Sequence, residues 1–139
     1  MSRRQARETA LQALFQLDLN HGSEEEREMY EMLAIDTAIE ESEKLSQSDR
    51  EYIMATVRGT RTHLEEIDGR ISAFAKGWKL SRMAAVDRNI MRLATYEMKF
   101  GEPELEPKIA INEAVELAKK YGTDDSSRFV NGILNAMAK

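Results

Sequence analysis

Two short stretches of this 139-residue sequence carry side chains whose types and spacing could bind a nucleic acid. In the first, Arg4, Arg7, Leu11 and Phe15 follow one another at intervals of three or four residues. On a helix this spacing aligns them in one row beside the apolar stripe. Guanidinium groups pair with phosphates, and an aromatic ring can stack on a base. The simpler alternative, favoured by this segment alone, is a core Phe15 and arginines that solvate a frayed helix end.

The second stretch runs from Tyr121 to Phe129 and joins two predicted helices. Gly122 ends the first of them and Asp125 or Ser126 starts the next, so that free backbone N–H groups and the positive end of a helix dipole face outward. Two aromatic residues and Arg128 flank this end. The aspartates would repel phosphate, so we expect them to accept hydrogen bonds from base edges. Simple helix capping, with both aromatic rings in the core, explains the same pattern and is favoured when the stretch is considered alone.

Residue patterns typical of catalysis are missing from the sequence. The seven glycines form no phosphate-binding loop, and no cysteine is present to bind a metal or to act as a nucleophile. His21 and His63 lie far apart and lack the neighbours of a metal site. Carboxylates such as those of residues 24–28 occur in runs, which are typical of solvated faces. We therefore predict a protein that is not an enzyme and that has no metal or other cofactor.

The net charge of −5 argues against a general nucleic-acid binder, but the charge is unevenly distributed. Residues 21–43 contain nine acidic residues and one basic residue, a net charge of −8, which leaves the rest of the chain at +3. A local basic face is therefore compatible with the total. No signal-peptide core and no run near the roughly 18 apolar residues of a membrane span is present. We expect a cytoplasmic protein without a membrane segment.

Apolar residues at helical spacing and only two prolines predict an all-α fold of about seven helices that form two packed helical halves. The whole chain, 1–139, is predicted to be a single domain, with the halves at about 1–76 and 80–139. The inward stripe predicted for the first helix consists of Ala6, Ala10, Ala13, Leu14 and Leu17.

Sequence signals also predict where several helices begin and end. Residues 23–26 and 48–51 have the form of capping boxes, Gly22 that of a helix-ending glycine, and Ser81 that of another cap. The loop at 101–107 holds both prolines.

Most of the chain resembles the NusB family, in the same order and spacing. The stretches that carry this resemblance are Arg3-Arg4-Gln5-Ala6-Arg7-Glu8, Ala10 to Phe15, Val86 to Ala94 with Tyr96-Glu97, Ala110 to Lys119, Tyr121-Gly122 and Ser126 to Gly132. The resemblance implies an all-α RNA-binding protein that recognises the boxA element of ribosomal RNA leader transcripts. It also implies a partner, the small-subunit ribosomal protein NusE, and association with the RNA polymerase elongation complex through other Nus factors. No reaction or cofactor belongs to the family.

The resemblance also implies positions for the contact residues. The RNA-side positions of the family fall on Arg3, Arg4, Arg7, Phe15, Tyr121, Asp125 and Phe129. The NusE-facing surface falls on the central helices, with Asp87 and Arg88 as its candidates. Gln5 interrupts a longer arginine run of some members, so we expect a shallow salt dependence and weak RNA binding without NusE. The expected RNA surface is small and composite, with Arg4, Arg7 and Phe15 beside residues 121–129.

Other interpretations remain open at this point. The acidic stretch 21–43 could dock on a basic protein, which would make the chain a helical adaptor without sequence-specific RNA binding. Replacing Arg4 and Arg7 by Glu would distinguish the two, since only the RNA-binding interpretation predicts loss of boxA binding. The family includes monomers and dimers, so a homodimer is also open. A methyltransferase with a NusB-like domain is not expected, because a chain ending at Lys139 leaves no room for the enzyme.

Overall fold

The computed structural model describes residues 3–139, which form seven α-helices, one short 3₁₀ helix and no strand. The helices are α1 (Arg3–Leu19), α2 (Arg27–Glu41), α3 (Gln47–Thr62), α4 (Leu64–Phe74), α5 (Ala85–Lys99), α6 (Pro107–Tyr121) and α7 (Ser126–Ala138), with the 3₁₀ helix at Leu80–Arg82. The prediction of an all-α fold with seven helices is confirmed.

Two compact units divide the chain, one spanning Met1–Arg58 and the other Gly59–Lys139. The division falls inside α3, whereas the sequence placed the break between its two halves near residue 77. In the structure the segment around residue 77 lies within the second unit. The assignment of the whole chain to one domain stays a prediction.

The first unit is built on the small-residue face of α1, which packs against α2. Every residue of the predicted α1 stripe is buried, and the alanines in it allow the two helices to approach closely. On α2 the buried apolar residues are Ala34, Ile35 and Ala38, at helical spacing. Met29 and Leu33 lie on the opposite side of α2 and remain 60% and 63% exposed.

The second unit packs α5 against α4, α6 and α7. Ile90 and Leu93 of α5 are fully or almost fully buried, as are Ile67 and Ile71 of α4. These four residues belong to the core of the second unit. Phe74, at the end of the α4 stripe, is 40% exposed.

An ion pair also joins α4 to α5. Arg92 donates from Nε to Asp68 Oδ1 at 2.8 Å and from Nη2 to Asp68 Oδ2 at 2.9 Å. The Arg92 side chain is 7% exposed, and its Nη1 donates to Asn89 Oδ1 at 3.2 Å. A buried guanidinium held this way fixes the two helices in one register.

Two of the features predicted at helix starts are present, although α2 begins only at Arg27, after the capping box, and the loop ends at residue 106. Ser23 and Glu26 form both bonds of a capping box, since the Ser23 amide donates to Glu26 Oε1 at 3.0 Å and the Glu26 amide donates to Ser23 Oγ at 3.3 Å. Hydrogen bonds to the Glu26 carboxyl from the Ser23 backbone and, to a smaller extent, from the Ser23 side chain lower the pKa of this carboxyl. The loop at 101–107 is present, and Pro107 begins α6.

Gly122 is the C-cap of α6, as predicted, whereas the caps predicted at Ser48, Ser81 and Gly22 are wrong. The hydroxyl of Ser46, and not of Ser48, accepts the hydrogen bond at the start of α3, from the Asp49 amide at 3.0 Å. Ser48 already lies in the first turn of that helix. Ser81 falls inside the 3₁₀ helix, and α5 begins later, at Ala85. Gly22 has the positive φ of +72° that was expected, but it lies three residues beyond the end of α1 at Leu19.

Candidate nucleic-acid interface

The arginines at the start of α1 differ in their surroundings. Arg3 is exposed but engaged, since its Nη1 lies 3.4 Å from Asp49 Oδ1 and its guanidinium carbon lies 4.4 Å from the centroid of the Tyr52 ring. Arg7 is only 8% exposed, and its guanidinium carbon lies 5.8 Å from the same centroid. Arg4 is exposed to solvent. Two of the three predicted RNA-binding arginines therefore contact Tyr52 of α3 within the first unit.

Phe15, the aromatic residue in the same row of α1, is half-buried. Leu11, between Arg7 and Phe15 in the row, is buried at 6% exposure. Within this row, Arg4 is exposed, whereas Arg7 and Leu11 are buried. Phe15, farther along the row, remains partly exposed.

The second candidate stretch forms the junction of α6 with α7. Tyr121, the last residue of α6, is 39% exposed, and the Lys120 ammonium lies 5.3 Å from its ring centroid. A Cβ on Gly122 would overlap the Ser126 side chain, so only glycine fits this position. The hydroxyl of Ser126, which is 2% exposed, accepts a hydrogen bond from the Thr123 amide at 2.9 Å. This bond ties the turn to the first residue of α7.

Asp125 occupies the N-cap position of α7 without a side-chain capping bond, and its side chain is exposed. The hydrogen bond that closes the turn is supplied by Ser126 and not by the side chain of Asp125. The carboxylate of Asp125 is left facing solvent at a helix start. In that position it can accept hydrogen bonds from a base edge, as the sequence suggested.

Phe129 is half-buried in the first turns of α7 and contacts Trp78 edge to face, with ring centroids 5.4 Å apart and an interplanar angle of 71°. Trp78 itself is 57% exposed. Trp78 was not among the contact residues predicted from the sequence. The available signal was a tryptophan between Lys76 and Lys79, an aromatic residue flanked by two cations.

The two predicted NusE-facing residues lie in the first turns of α5. Asp87 is 8% exposed, and its Oδ1 is buried without a hydrogen-bond partner within the described residues. Arg88 donates from Nη1 to the carbonyl oxygens of Leu80 at 2.9 Å and Met83 at 3.0 Å. Arg88 thus holds the segment that precedes α5, whereas the buried Asp87 oxygen lacks a donor.

Within residues 3–139, no group of three or more His, Cys, Asp or Glu side chains could hold a metal ion. An open groove of about 680 Å³ lies in the second unit. It is lined by Pro107, Lys108, Ile109, Ile111, Asn112, Asn135 and Ala138. No described helix has the length and apolarity that crossing a membrane requires.

Comparison with known proteins gives consistent matches. The model of the NusB family matches residues 4–139. The transcription antitermination protein NusB of Desulforamulus reducens is 47% identical over 137 residues, which cover 99% of this chain and 90% of that protein. The protein of the same name from Acetivibrio thermocellus is 45% identical over 139 residues, covering 100% of this chain and 90% of the relative.

Solved structures with the same fold are also similar in sequence. The structure of T. maritima NusB superposes with a TM-score of 0.82 at 36% identity, covering 99% of this chain and 91% of that one. A structure of the antitermination factors NusB and NusE in complex with double-stranded RNA gives a TM-score of 0.84 at 29% identity, covering 98% of this chain and 95% of the matched chain.

Proposed function

This chain belongs to the NusB family of transcription antitermination proteins, which are not enzymes, and from that membership we propose that it binds boxA RNA together with NusE. The observation that carries the proposal is the family match over residues 4–139, nearly the whole described chain. A NusB of the same fold has been solved with NusE and RNA, which supports both partners. Through NusE and other Nus factors the protein would act on the elongating RNA polymerase in the cytoplasm.

The proposed RNA contacts are the seven residues implied by the family, and their surroundings in the structure assign them different roles. Exposed Arg4 is suited to neutralise a phosphate, and exposed Asp125 to accept a hydrogen bond from a base. The partly open rings of Phe15, Tyr121 and Phe129 are suited to stack on bases. Arg3 and Arg7 would act mainly by positioning α1 through Tyr52. The composite surface that joins these residues stays a prediction.

For NusE we propose Asp87 as the central contact. Oδ1 of Asp87 is enclosed without a donor, so a donor from a partner would bind the part of this carboxylate that remains exposed. Asp87→Ala should then weaken NusE binding while direct RNA contacts are unchanged. Arg88 would contribute by holding the backbone in front of α5.

The experiment that tests the function is a titration with boxA RNA and a scrambled RNA of equal length, each with and without NusE. We expect weak binding by the chain alone and tighter, boxA-selective binding when NusE is present. Equal affinity for both RNAs in the presence of NusE would contradict the sequence-specific function. Sedimentation at several concentrations in the same buffer would show whether a homodimer competes with RNA.

One observation favours the adaptor as a second candidate. Eight acidic residues between 24 and 43 are exposed and form no ion pair within the described residues, and Met29 and Leu33 are exposed on the same segment. An acidic face with exposed apolar side chains is suited to a basic protein. This role would be supported if changing the segment abolishes NusE binding and the unmodified chain binds boxA and scrambled RNA equally.

A further inference from the structure

The segment that joins α4 to α5 holds the one tryptophan of the chain and is locally basic. We call residues 75–84 the α4–α5 connector. It contains Lys76, Lys79 and Arg82, and no acidic residue occurs between Gly69 and Val86. In a protein of net charge −5, this is a marked local excess of positive charge.

The three cations of the connector face solvent. Lys76, Lys79 and Arg82 are all exposed, and none of them forms an ion pair within residues 3–139. Arg3, by contrast, is paired with Asp49, and Arg7 is buried. The connector therefore offers three exposed cationic groups for a phosphate backbone.

Trp78 contacts one aromatic ring and is more than half exposed. Its ring meets Phe129 at 71°, which leaves at least one face of the indole uncovered by that residue, and 57% of the residue is exposed. Tryptophan usually buries most of its large apolar surface. An indole oriented by an aromatic neighbour and flanked by cations has the properties of a stacking platform for a nucleotide base.

The backbone of the connector is fixed by hydrogen bonds. The Trp78 amide donates to the Ala75 carbonyl at 2.9 Å, in a turn that Gly77 completes with a φ of +81°. Beyond it, Arg88 donates to two connector carbonyls, those of Leu80 and Met83. Because the segment is ordered before binding, less conformational entropy is lost when a ligand binds.

We propose that the α4–α5 connector is an additional RNA-binding element, in which Trp78 stacks on an unpaired base and Lys76, Lys79 and Arg82 contact the neighbouring phosphates. This inference rests on the proposed RNA-binding function and extends it to residues that the family resemblance did not indicate. The RNA at this element is single-stranded, because a base in a duplex is already stacked and cannot cover the indole. Phe129 connects the element to the α6–α7 junction.

The single tryptophan allows a direct test on the unmodified protein. Unlabelled single-stranded boxA RNA is titrated into the protein with NusE present while tryptophan emission is recorded, using a NusE preparation without tryptophan. Binding is followed independently by the anisotropy of labelled RNA. We expect quenching of Trp78 emission that follows the anisotropy curve, and little quenching by a duplex of the same sequence.

Variants separate stacking from charge. Trp78→Ala should weaken RNA binding by roughly ten-fold or more, and Trp78→Phe by less, since a ring remains. Ile109→Ala, at a residue 47% exposed on α6, is the matched apolar control.

The triple variant K76Q/K79Q/R82Q should lower the log–log salt slope of RNA binding by about 2, at about 0.7 per phosphate on a single strand. The triple variant K44Q/K108Q/K139Q removes the same charge at other exposed positions.

The outcomes are distinguishable. RNA binding that saturates in anisotropy without a change in Trp78 emission, and that is equally tight for Trp78→Ala, would overturn the inference and leave the proposed function intact. An equal fall in salt slope for both triple variants would also contradict a specific role of the connector. Absence of any boxA binding with NusE would remove the proposed function and, with it, this inference.

Discussion

Arg7 stabilises the fold although it stands in the row of α1 that the sequence assigns to RNA. It is 8% exposed, with its guanidinium beside Tyr52. We predict that Arg7→Ala lowers the free energy of unfolding by about 1–3 kcal/mol, because buried stem packing and a desolvated cation–π contact are lost together. Urea unfolding monitored by circular dichroism measures this.

Arg4 is the matched comparison, because it precedes Arg7 by one helical turn and is exposed. Arg4→Ala should change the stability by less than about 0.5 kcal/mol and should weaken RNA binding in a salt-dependent way. Comparable destabilisation by both variants would contradict the assignment. A Glu substitution at both positions would place a carboxylate in the Arg7 site, so Arg4 alone gives a clean test of RNA binding.

The carboxyl of Glu26 makes one helix start sensitive to pH. The Ser23 amide and hydroxyl hold its pKa below the ordinary value of 4.5. A lowered pKa in the folded state means that the stabilisation is complete above the unfolded pKa and is lost as the pH falls through the folded one. We predict that the melting temperature of Glu26→Gln lies below that of the unmodified protein at neutral pH, and that the difference vanishes at strongly acid pH.

Thermal melts across this pH range measure the effect. Glu25→Gln is the control, since Glu25 is exposed in the same turn and its side chain makes no hydrogen bond within the described residues. A difference for Glu26→Gln that persists unchanged at acid pH would show that the capping carboxylate is not its source.

At the scale of elements, the contact of α4 with α5 depends on the Arg92–Asp68 pair. Arg92 is 7% exposed and bonded to both carboxylate oxygens of Asp68. We predict that Asp68→Ala destabilises the protein by about 3–5 kcal/mol, because an uncompensated guanidinium remains buried. Chemical denaturation of this variant and of a double variant, D68A/R92M, checks it. The double variant should recover much of the loss, and an equal or larger loss would contradict the explanation.

Helix number and inward stripes were predictable from the sequence, whereas several helix starts were not. Ser46 and Ser48 are both good capping residues, each followed three residues later by an acidic side chain. Local pattern does not distinguish them, and in the structure the Ser46 hydroxyl accepts the Asp49 amide. Asp49 is itself buried beside Arg3 of α1, a contact between distant parts of the sequence. Tertiary contacts of this kind are absent from a local pattern.

The same limit applies to the candidate site. Residue type and spacing indicated that the α1 row and the α6–α7 junction belong to the candidate site. They could not show which of Arg4 and Arg7 is buried, because the two residues lie on the same face of a helix. Their difference depends on Tyr52 of α3, some 45 residues later in the sequence. Trp78 was missed because its candidate role rests on exposure and on the contact with Phe129, neither of which follows from a linear pattern.

At the scale of the whole molecule, the negative charge of the acidic segment 21–43 repels the phosphates of RNA and slows its association. Asp36, Glu40 and Glu41 of α2 are exposed, and the last turn of α2 has no basic residue to balance its dipole. We predict that D36N/E40Q/E41Q, which raises the net charge from −5 to −2, increases the rate of boxA association roughly two- to five-fold at low salt. Long-range repulsion is screened by salt, so this gain should disappear at high ionic strength.

Stopped-flow anisotropy at low and high salt measures these rates, and E102Q/E104Q/E106Q in the α5–α6 loop is the control with the same change in charge. If the acidic segment acts only through the overall field, both variants should accelerate association to a similar extent and both should bind NusE normally. If the α2 variant alone loses NusE, the segment is a docking face for a basic protein, as the adaptor alternative requires. In that case the unfavourable placement of acids at the end of α2 is explained by protein binding, and RNA recognition must come from the rest of the chain.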